Sequence, residues 1–251
     1  MRPHLKSSSQ IEAMRKANLV VAEVLQGLAA MARPGITTLE LDQEAEKICR
    51  NRGAVPAFKG YHGYPASLCT SVNHVIVHGI PSKDEILKEG DLLSLDFGAV
   101  LDGWVGDSAI TVEIGEVSED AHRLSMVTRE ALDLAIEQVR PGKRLSDIGR
   151  AVQTHAEIAG YSVIRDFVGH GIGREMHEDP QVPNYVPEHG PDPRLETGMV
   201  IAIEPMISAG KPDVEILKDG WTAVTADGSL AAHYEHSVAV TDSNPAILSR
   251  L

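Results

Sequence analysis

Residues 91–113 read DLLSLDFGAVLDGWVGDSAITVE, two apolar runs joined by Asp102-Gly103. An Asp-Gly pair between apolar runs is a typical β-hairpin turn, and it brings the second strand back alongside the first. Each strand contains one acid, Asp96 or Asp107, so the hairpin allows both carboxylates to lie on one face. An isolated aspartate at such a place is more often a turn or strand-end residue than a functional one.

The acid-bearing strands have counterparts in the second half of the chain. MVIAIE ends in Glu204 and EHSVAV begins with Glu235, while Gly198 precedes Glu204 at the same distance as Gly90 precedes Asp96. Matched acids in both halves favour a shared site over unrelated turn residues. Because facing carboxylates are costly unless cations neutralise them, the pattern indicates bound metal ions.

Helical patterns repeat in the same order. Ser9 and Glu12 are predicted to form a capping box at the first helix, and Arg33-Pro34-Gly35 recurs as Arg140-Pro141-Gly142. His78-Gly79-Ile80 is likewise echoed by His170-Gly171-Ile172. The predicted helices span Gln10–Ala32, about Thr38–Arg52, about Glu119–Val139 and a segment that ends at Gly160.

An internal repeat is therefore predicted, from about 10–115 and 117–245. We expect a single catalytic domain over residues 1–251, in which two similar α+β halves share one sheet with helices outside. Matching positions then converge near a pseudo-twofold axis.

Four carboxylates and His170 form an oxygen-rich ligand set. It suits Mn, Fe, Co or open-site Zn better than a thiolate-lined structural zinc. Two bridged ions can activate a hydroxide and polarise a carbonyl, which implies hydrolysis. A buried acid pair that shares a proton, as in aspartic proteases, predicts two carboxylates instead of four. The segment GHGIGREMHE leaves open whether His170 and His177 reach the same ion.

Charge and composition limit the remaining classes. The chain has 36 Asp and Glu against 23 Lys and Arg, a formal charge of -13 that argues against phosphate-backbone binding. Cys49 and Cys69 are too few for a disulfide framework. The N-terminal residues scatter charge unlike a signal peptide, and the apolar stretch Leu19–Ala32 is too short to cross a bilayer. We expect a cytoplasmic protein without membrane or sequence-specific nucleic-acid contacts.

Taken in order, these motifs resemble the methionine aminopeptidases of the bacterial type I class, which have the pita-bread fold. The resemblance extends from about Ser9 to Leu248 and is dense around YHGYPASLCTSVNHVIVHGIP, GHGIGREMHE, IEPM and DGWT. It implies two pseudo-twofold halves that share an antiparallel sheet, and removal of the initiator methionine from polypeptides with a small second residue. The implied partners are nascent polypeptide N-termini and the ribosome surface near the exit tunnel, with the enzyme acting as a monomer.

The resemblance also implies a role for each site residue. Asp96 chelates one metal, Asp107 and Glu235 bridge both, and His170 and Glu204 complete the ligand set of the other metal, with a bridging hydroxide as nucleophile. Glu204 shuttles the proton, His177 stabilises the oxyanion and His78 contacts the scissile amide. The methionine pocket is implied to comprise Tyr61, Tyr64, Cys69, Met176 and Trp221, where Met176 replaces the phenylalanine usual in the family.

The implied cofactors are two divalent ions, with Co, Mn, Fe, Zn and Ni all compatible, and one monovalent cation at backbone oxygens of Asn73, Val75 and Ala231. Two alternatives remain open. One is an Xaa-Pro peptidase of the same fold, and the other is a non-catalytic binding module that keeps the fold without its chemistry.

Overall fold

The computed structural model describes residues 3–251 as an α+β arrangement of helices around antiparallel sheets. The helices are α1 (Ser8–Met31), α2 (Thr38–Asn51), α3 (Glu119–Glu137) and α4 (Leu145–Ile158), with a 3-10 turn at Tyr61–Gly63. The strands are β1 (Val55–Pro56), β2 (Cys69–Val72), β3 (Val75–Val77), β4 (Leu92–Leu101), β5 (Trp104–Glu113), β6 (Ser162–Val163), β7 (Gly169–Gly171), β8 (Glu178–Val182), β9 (Val200–Ile203), β10 (Met206–Ser208), β11 (Val214–Ile216), β12 (Ala223–Thr225), β13 (Ala231–His233), β14 (Glu235–Ala239) and β15 (Ala246–Ile247).

The predicted helices are confirmed to within a few residues, but the predicted cap of α1 is wrong. Ser7, not Ser9, caps the helix: its hydroxyl accepts from the Gln10 amide at 3.4 Å, and the Gln10 side chain accepts from the Ser7 amide at 2.8 Å. Three consecutive serines offer similar caps, and the reciprocal bond with Gln10 selects the first of them.

The central sheet has the antiparallel order β1-β4-β5-β14-β9-β7-β8, with β2 added at β4 and β15 at β14. Strands β4 and β5 come from the first predicted half, and β14, β9, β7 and β8 come from the second. One sheet therefore joins both parts of the chain, as the sequence predicts.

The hairpin of β4 and β5 shows why the sequence alternates. Leu93, Leu95 and Phe97 point to one face and form a core with α1 and α2. Because neighbouring strand residues point to opposite faces, Asp96 lies on the other side of the sheet. The turn residues Asp102 and Gly103 have φ values of 51° and 73°, as a type I′ hairpin turn requires.

Helix α1 packs closely against β5 at Gly106. A Cβ there would lie 2.6 Å from the Asn18 amide nitrogen and 2.8 Å from the Ala17 carbonyl carbon, so only glycine allows this approach. The fully buried Asn18 side chain then accepts from the Asp107 amide at 3.3 Å. This contact couples the position of the acid-bearing strand to that of α1.

Helices α3 and α4 cover the second part of the sheet, where Leu124, Ile148 and Ile201 belong to a separate core. The turns that precede α2 and α4 make the same contacts: the Gly35 amide donates to Leu87 at 2.8 Å, and the Gly142 amide donates to Leu195 at 2.9 Å. The assignment of residues 1–251 to a single catalytic domain stays a prediction. Within residues 3–251, no helix is both long enough and apolar enough to cross a membrane.

Candidate active site

The acids of the sequence pattern meet at the middle of the central sheet. Asp96, Asp107, Glu235 and His170 lie on β4, β5, β14 and β7, and Glu204 directly follows β9. These five strands are consecutive in the sheet order. Residues far apart in sequence therefore become neighbours because their strands are neighbours.

Strand register aligns the acids on the two sides of β5. Ala109 of β5 is opposite both Asp96 on β4 and Glu235 on β14. Asp107 is opposite Gly98, diagonal to Asp96 on the same face. Ala109 carries only a methyl group and Gly98 has no side chain, so neither fills the space between the carboxylates.

The tightest part of the site contains three of the five residues. Asp107, His170 and Glu235 each have a ligand atom within 4.8 Å of the other two. His170 Nε2 also lies 3.5 Å from Glu204 Oε1 and 3.8 Å from Asp107 Oδ2. Asp96 lies outside this tightest group, at the β4 side of the cavity.

Electrostatics favour a cation among these carboxylates. Asp96 Oδ1, Asp107 Oδ1 and Glu235 Oε1 are buried and have no hydrogen-bond partner within residues 3–251. Burial raises the pKa of Asp96 to about 7, and burial with the neighbouring acids raises the pKa values of Asp107, Glu204 and Glu235 well above normal. Ionised carboxylates in such a place need positive charge nearby, which divalent ions supply.

His170 is oriented as a metal ligand. Its Nδ1 lies 2.9 Å from the Gly171 carbonyl oxygen, which can only accept, so Nδ1 carries the proton. Nε2 is then unprotonated and directs its lone pair toward Glu204 and Asp107. Burial lowers the pKa of His170 to about 4, so the ring is neutral at physiological pH.

Two serine side chains hold the backbone of Asp107 and Glu235 in place. Ser108 Oγ donates to the Glu235 carbonyl at 2.6 Å, and Ser237 Oγ donates to the Asp107 carbonyl at 2.9 Å. These bonds join β5 to β14 where the regular ladder between them is short. The donor set thus fits divalent metal ions in geometry, charge and rigidity.

All the residues that the sequence assigned to the site line one cavity of about 320 Å³. Tyr64 and Cys69 are buried on its apolar side, where Trp221 packs edge-on against Tyr64 with ring centroids 5.2 Å apart. Burial raises the pKa values of the Tyr64 hydroxyl and the Cys69 thiol, so both stay neutral. Met176 packs near Gly98 at the cavity edge.

Two further histidines, His78 and His177, line the cavity. His78 adopts a positive φ of 61°, and burial, with a contribution from His177, lowers its pKa to about 4. The His177 ring lies 4.3 Å from the His170 ring, centroid to centroid, and its Nδ1 is 2.7 Å from the Tyr61 hydroxyl. Partial burial lowers the pKa of His177, and the nearby His62 ring lowers it further. The arrangement supplies neutral imidazoles able to donate hydrogen bonds to a substrate.

The cavity also contains residues that sequence reasoning missed. His62 follows Tyr61 and Val77 precedes His78, and this adjacency was the available signal for those two. Phe167 is adjacent to no predicted residue, and it packs edge-on against His78 at 5.4 Å. The missed lining residues are Phe58, His62, Val77, Phe167, Val168 and Met206.

The residues expected to bind a monovalent cation lie close together in part. The Ala231 amide donates to the Asn73 carbonyl at 2.8 Å, and Val75 follows two residues after Asn73. The cation itself stays a prediction.

Comparison with known proteins identifies the family. The sequence model of metallopeptidase family M24 matches residues 12–242. A methionine aminopeptidase of Clostridium acetobutylicum is 51% identical over 245 residues, 98% of this chain and 98% of that protein. The crystal structure of a methionine aminopeptidase from Thermotoga maritima is similar with a TM-score of 0.96 at 45% identity, covering 100% of both chains. A prolidase from Pyrococcus furiosus shares the fold, with a TM-score of 0.79 at 23% identity over 98% of this chain and 65% of that one. The predicted pita-bread fold is thus confirmed, and the chain belongs to metallopeptidase family M24 and, within it, to the methionine aminopeptidases.

Proposed function

We propose that this enzyme removes the N-terminal methionine from polypeptides whose second residue is small. One observation supports the proposal above all: four carboxylates, of which Asp107 and Glu235 are buried, converge with the His170 imidazole from five adjacent strands beside an apolar pocket. A negatively charged end next to an apolar end suits a substrate with a free amino terminus and an apolar first side chain.

We propose that Asp96, Asp107, His170, Glu204 and Glu235 bind two divalent ions. When bound, such ions activate water and polarise the scissile carbonyl. Asp107 and Glu235, which lie in the tightest part of the site, are suited to contact both ions. Carboxylate and imidazole ligands accept Co, Mn, Fe, Zn or Ni, and the supply of metal selects among them.

The remaining polar groups act on the substrate. The Glu204 carboxylate is 3.5 Å from His170 and is suited to move a proton from water to the leaving amine. His177 is neutral and can donate to the developing oxyanion, while its Nδ1 contacts Tyr61. His78, beside Trp221 and Phe167, is suited to contact the scissile amide.

The apolar end of the cavity is proposed to bind the methionine side chain. Tyr64 and Trp221 supply aromatic surfaces, and the protonated Cys69 thiol supplies a polarisable contact. Tyr64 is itself fixed by hydrogen bonds to the carbonyls of Leu68 at 3.1 Å and Gly79 at 3.0 Å. Met176 at the edge preserves the apolar character that a phenylalanine would give.

An initiator methionine occurs on newly made polypeptides, so we infer action in the cytoplasm on nascent N-termini. Contact with the ribosome near the exit tunnel and action as a monomer belong to the same proposal. The monovalent cation at Asn73, Val75 and Ala231 is proposed to support the segment that includes β3.

The test is peptide cleavage by the metal-depleted protein after addition of Co, Mn, Fe, Zn or Ni. We expect turnover of Met-Ala-Ser and loss of turnover in Glu235→Ala, with less bound metal by mass spectrometry, because one bridging ligand is gone. Glu215→Ala, an exposed change on β11, is the matched control.

The same assay separates the alternatives. Cleavage of Xaa-Pro dipeptides with no activity on Met-Ala-Ser would show an Xaa-Pro peptidase. Protein that binds no metal and cleaves neither substrate would be a non-catalytic binding module. Full turnover by Glu235→Ala would refute the site assignment.

A further inference from the structure

The segment from Gly173 to Glu178, which we call the His177 turn, connects β7 to the start of β8. It contains Met176 and His177, both of which line the active-site cavity. Only its last residue belongs to a helix or strand. The position of His177 therefore depends on contacts that the turn makes elsewhere.

The Glu178 carboxylate joins the two ends of this turn by hydrogen bonds. Its Oε1 accepts from the Arg174 amide at 2.8 Å and from the Glu175 amide at 3.4 Å. Its Oε2 lies 2.6 Å from Lys6 Nζ. One carboxylate thus joins both ends of the turn to a residue more than 150 positions away in sequence.

The ion pair is buried. The Lys6 and Glu178 side chains are only 6% and 10% exposed. Although burial acts to raise the pKa of Glu178, Lys6 and the backbone donors lower it overall, so the carboxylate is ionised. Buried ion pairs contribute little net stability compared with apolar packing. The Lys6–Glu178 pair is therefore better explained by its effect on the geometry of the His177 turn.

Lys6 is fixed relative to the metal-binding strands. Its amide donates to the Gly198 carbonyl at 2.7 Å, and the Gly198 amide donates to Val240 at 2.9 Å. Gly198 and Val240 border β9 and β14, the strands associated with Glu204 and Glu235. The Lys6 side chain also packs on the turn, since a Cβ at Gly173 would lie 2.7 Å from Lys6 Cε.

The outer side of the turn has its own contacts. Arg174 lies over the Trp104 ring at 3.9 Å and donates to the Gly103 carbonyl at 3.0 Å. These contacts, with the bond from the Val105 amide to the Gly173 carbonyl at 2.9 Å, hold the turn against the β4–β5 hairpin. On the inner side Lys6 and Glu178 hold the backbone of the turn, while the Tyr61 hydroxyl contacts the His177 ring itself.

We propose that Lys6 is a positioning residue for His177: through the buried ion pair with Glu178 it sets the His177 turn relative to the metal-binding strands. This inference rests on the proposed role of His177 at the oxyanion. Ground-state binding depends mainly on the apolar pocket and the carboxylates, so the pair affects turnover more than substrate affinity.

The test is a double-mutant cycle of Lys6→Met and His177→Ala, with steady-state kinetics on Met-Ala-Ser and metal content by mass spectrometry. A displacement of about 1 Å can lower catalysis by about 100-fold, so we expect Lys6→Met to lower kcat by about tenfold or more while KM changes by less than about threefold. Bound metal should equal that of the unmodified enzyme. Lys16→Met, an exposed change on α1, should have no effect.

In the His177→Ala background, Lys6→Met should have no further effect on kcat, because residues that act through one group are not additive. If Lys6→Met does not fold, Lys6→Met/Glu178→Gln removes the pair without leaving a buried charge. Its fall in kcat should be smaller and should likewise vanish when His177 is absent.

An unchanged kcat, an equal fall in both backgrounds or a loss of metal would overturn the role of Lys6. If the unmodified enzyme fails to cleave Met-Ala-Ser, or His177→Ala is fully active, the proposed function or the role of His177 is wrong and the inference fails with it. The two kinds of failure are therefore distinguished within one series.

Discussion

Replacing Asp96 by asparagine separates the stability that the proposed metal-binding carboxylates cost the metal-free protein from their role in binding metal. The change keeps the shape of the side chain and removes a negative charge that faces Asp107, Glu204 and Glu235 across the cavity. In metal-free protein, we expect Asp96→Asn to be more stable than the unmodified chain at neutral and alkaline pH.

The magnitude follows from the pKa of Asp96, which burial raises from 3.8 to about 7 in the folded protein. Each pKa unit corresponds to about 1.4 kcal/mol, so ionisation of Asp96 costs the folded state up to about 4 kcal/mol above pH 7. The carboxyl is partly open to the cavity, and solvent there makes this value an upper limit. For a chain of this length, the gain corresponds to about 2 to 4 °C in Tm per kcal/mol.

The direction of the Asp96 pKa shift determines how the stability gain depends on pH. A carboxyl whose folded pKa is raised contributes stability below its unfolded pKa, and this contribution is lost as pH rises through the folded value. The gain from Asp96→Asn should therefore be largest at pH 8 and fall to about half or less at pH 5. Urea unfolding in the presence of a chelator, at both pH values, measures it, with the exposed Asp84→Asn as control.

Bound metal should reverse the order of stability, so that the unmodified chain becomes more stable than Asp96→Asn. Ligands that bind only the folded state stabilise it by mass action, and Asp96→Asn removes one of their contacts. With Mn present, the unmodified chain should gain more stability than the variant, and the variant should not cleave Met-Ala-Ser. Equal or lower stability of metal-free Asp96→Asn at pH 8 would refute the idea that burial of the ionised Asp96 carboxylate destabilises the metal-free fold.

Two further changes test the cavity. Tyr61→Phe removes the 2.7 Å hydrogen bond to His177 and should lower kcat about fivefold, equivalent to about 1 kcal/mol, at unchanged KM; a higher KM at unchanged kcat would instead show that Tyr61 only contacts the methionine. Gly98→Ala adds a Cβ 2.8 Å from both Met176 Cε and Phe58 Cε1, so kcat/KM for Met-Ala-Ser should fall about fivefold or more. Adding Met176→Ala relieves one of the two contacts and should restore part of the loss. An unaltered kcat/KM in Gly98→Ala would contradict the assignment of this edge to the methionine pocket.

Local pattern was sufficient for most of the fold. The Asp102-Gly103 turn, the alternation in β4 and the ends of α2 and α3 depend on residues within a few positions of one another. The error at α1 is instructive for the same reason: Ser7 and Ser9 are locally similar, and the side chain of Gln10 distinguishes them.

The repeat of acids in both halves predicted which acids converge at the proposed metal site. It did so because a sheet with related halves brings equivalent positions together. Pattern could not predict that Asp96 lies outside the tightest group, since that depends on the register of β4, β5 and β14 around Ala109.

Other features depend on contacts between distant segments. Nothing near Lys6 in the sequence indicates that it pairs with Glu178, and nothing near Phe167 indicates that it packs on His78. Periodicity and turn chemistry reflect forces within a few residues, so the sequence alone could predict the elements and their chemical content. The neighbours across the cavity and the burial that shifts each pKa arise when separate elements pack, because only then are these groups removed from water and brought within a few ångströms.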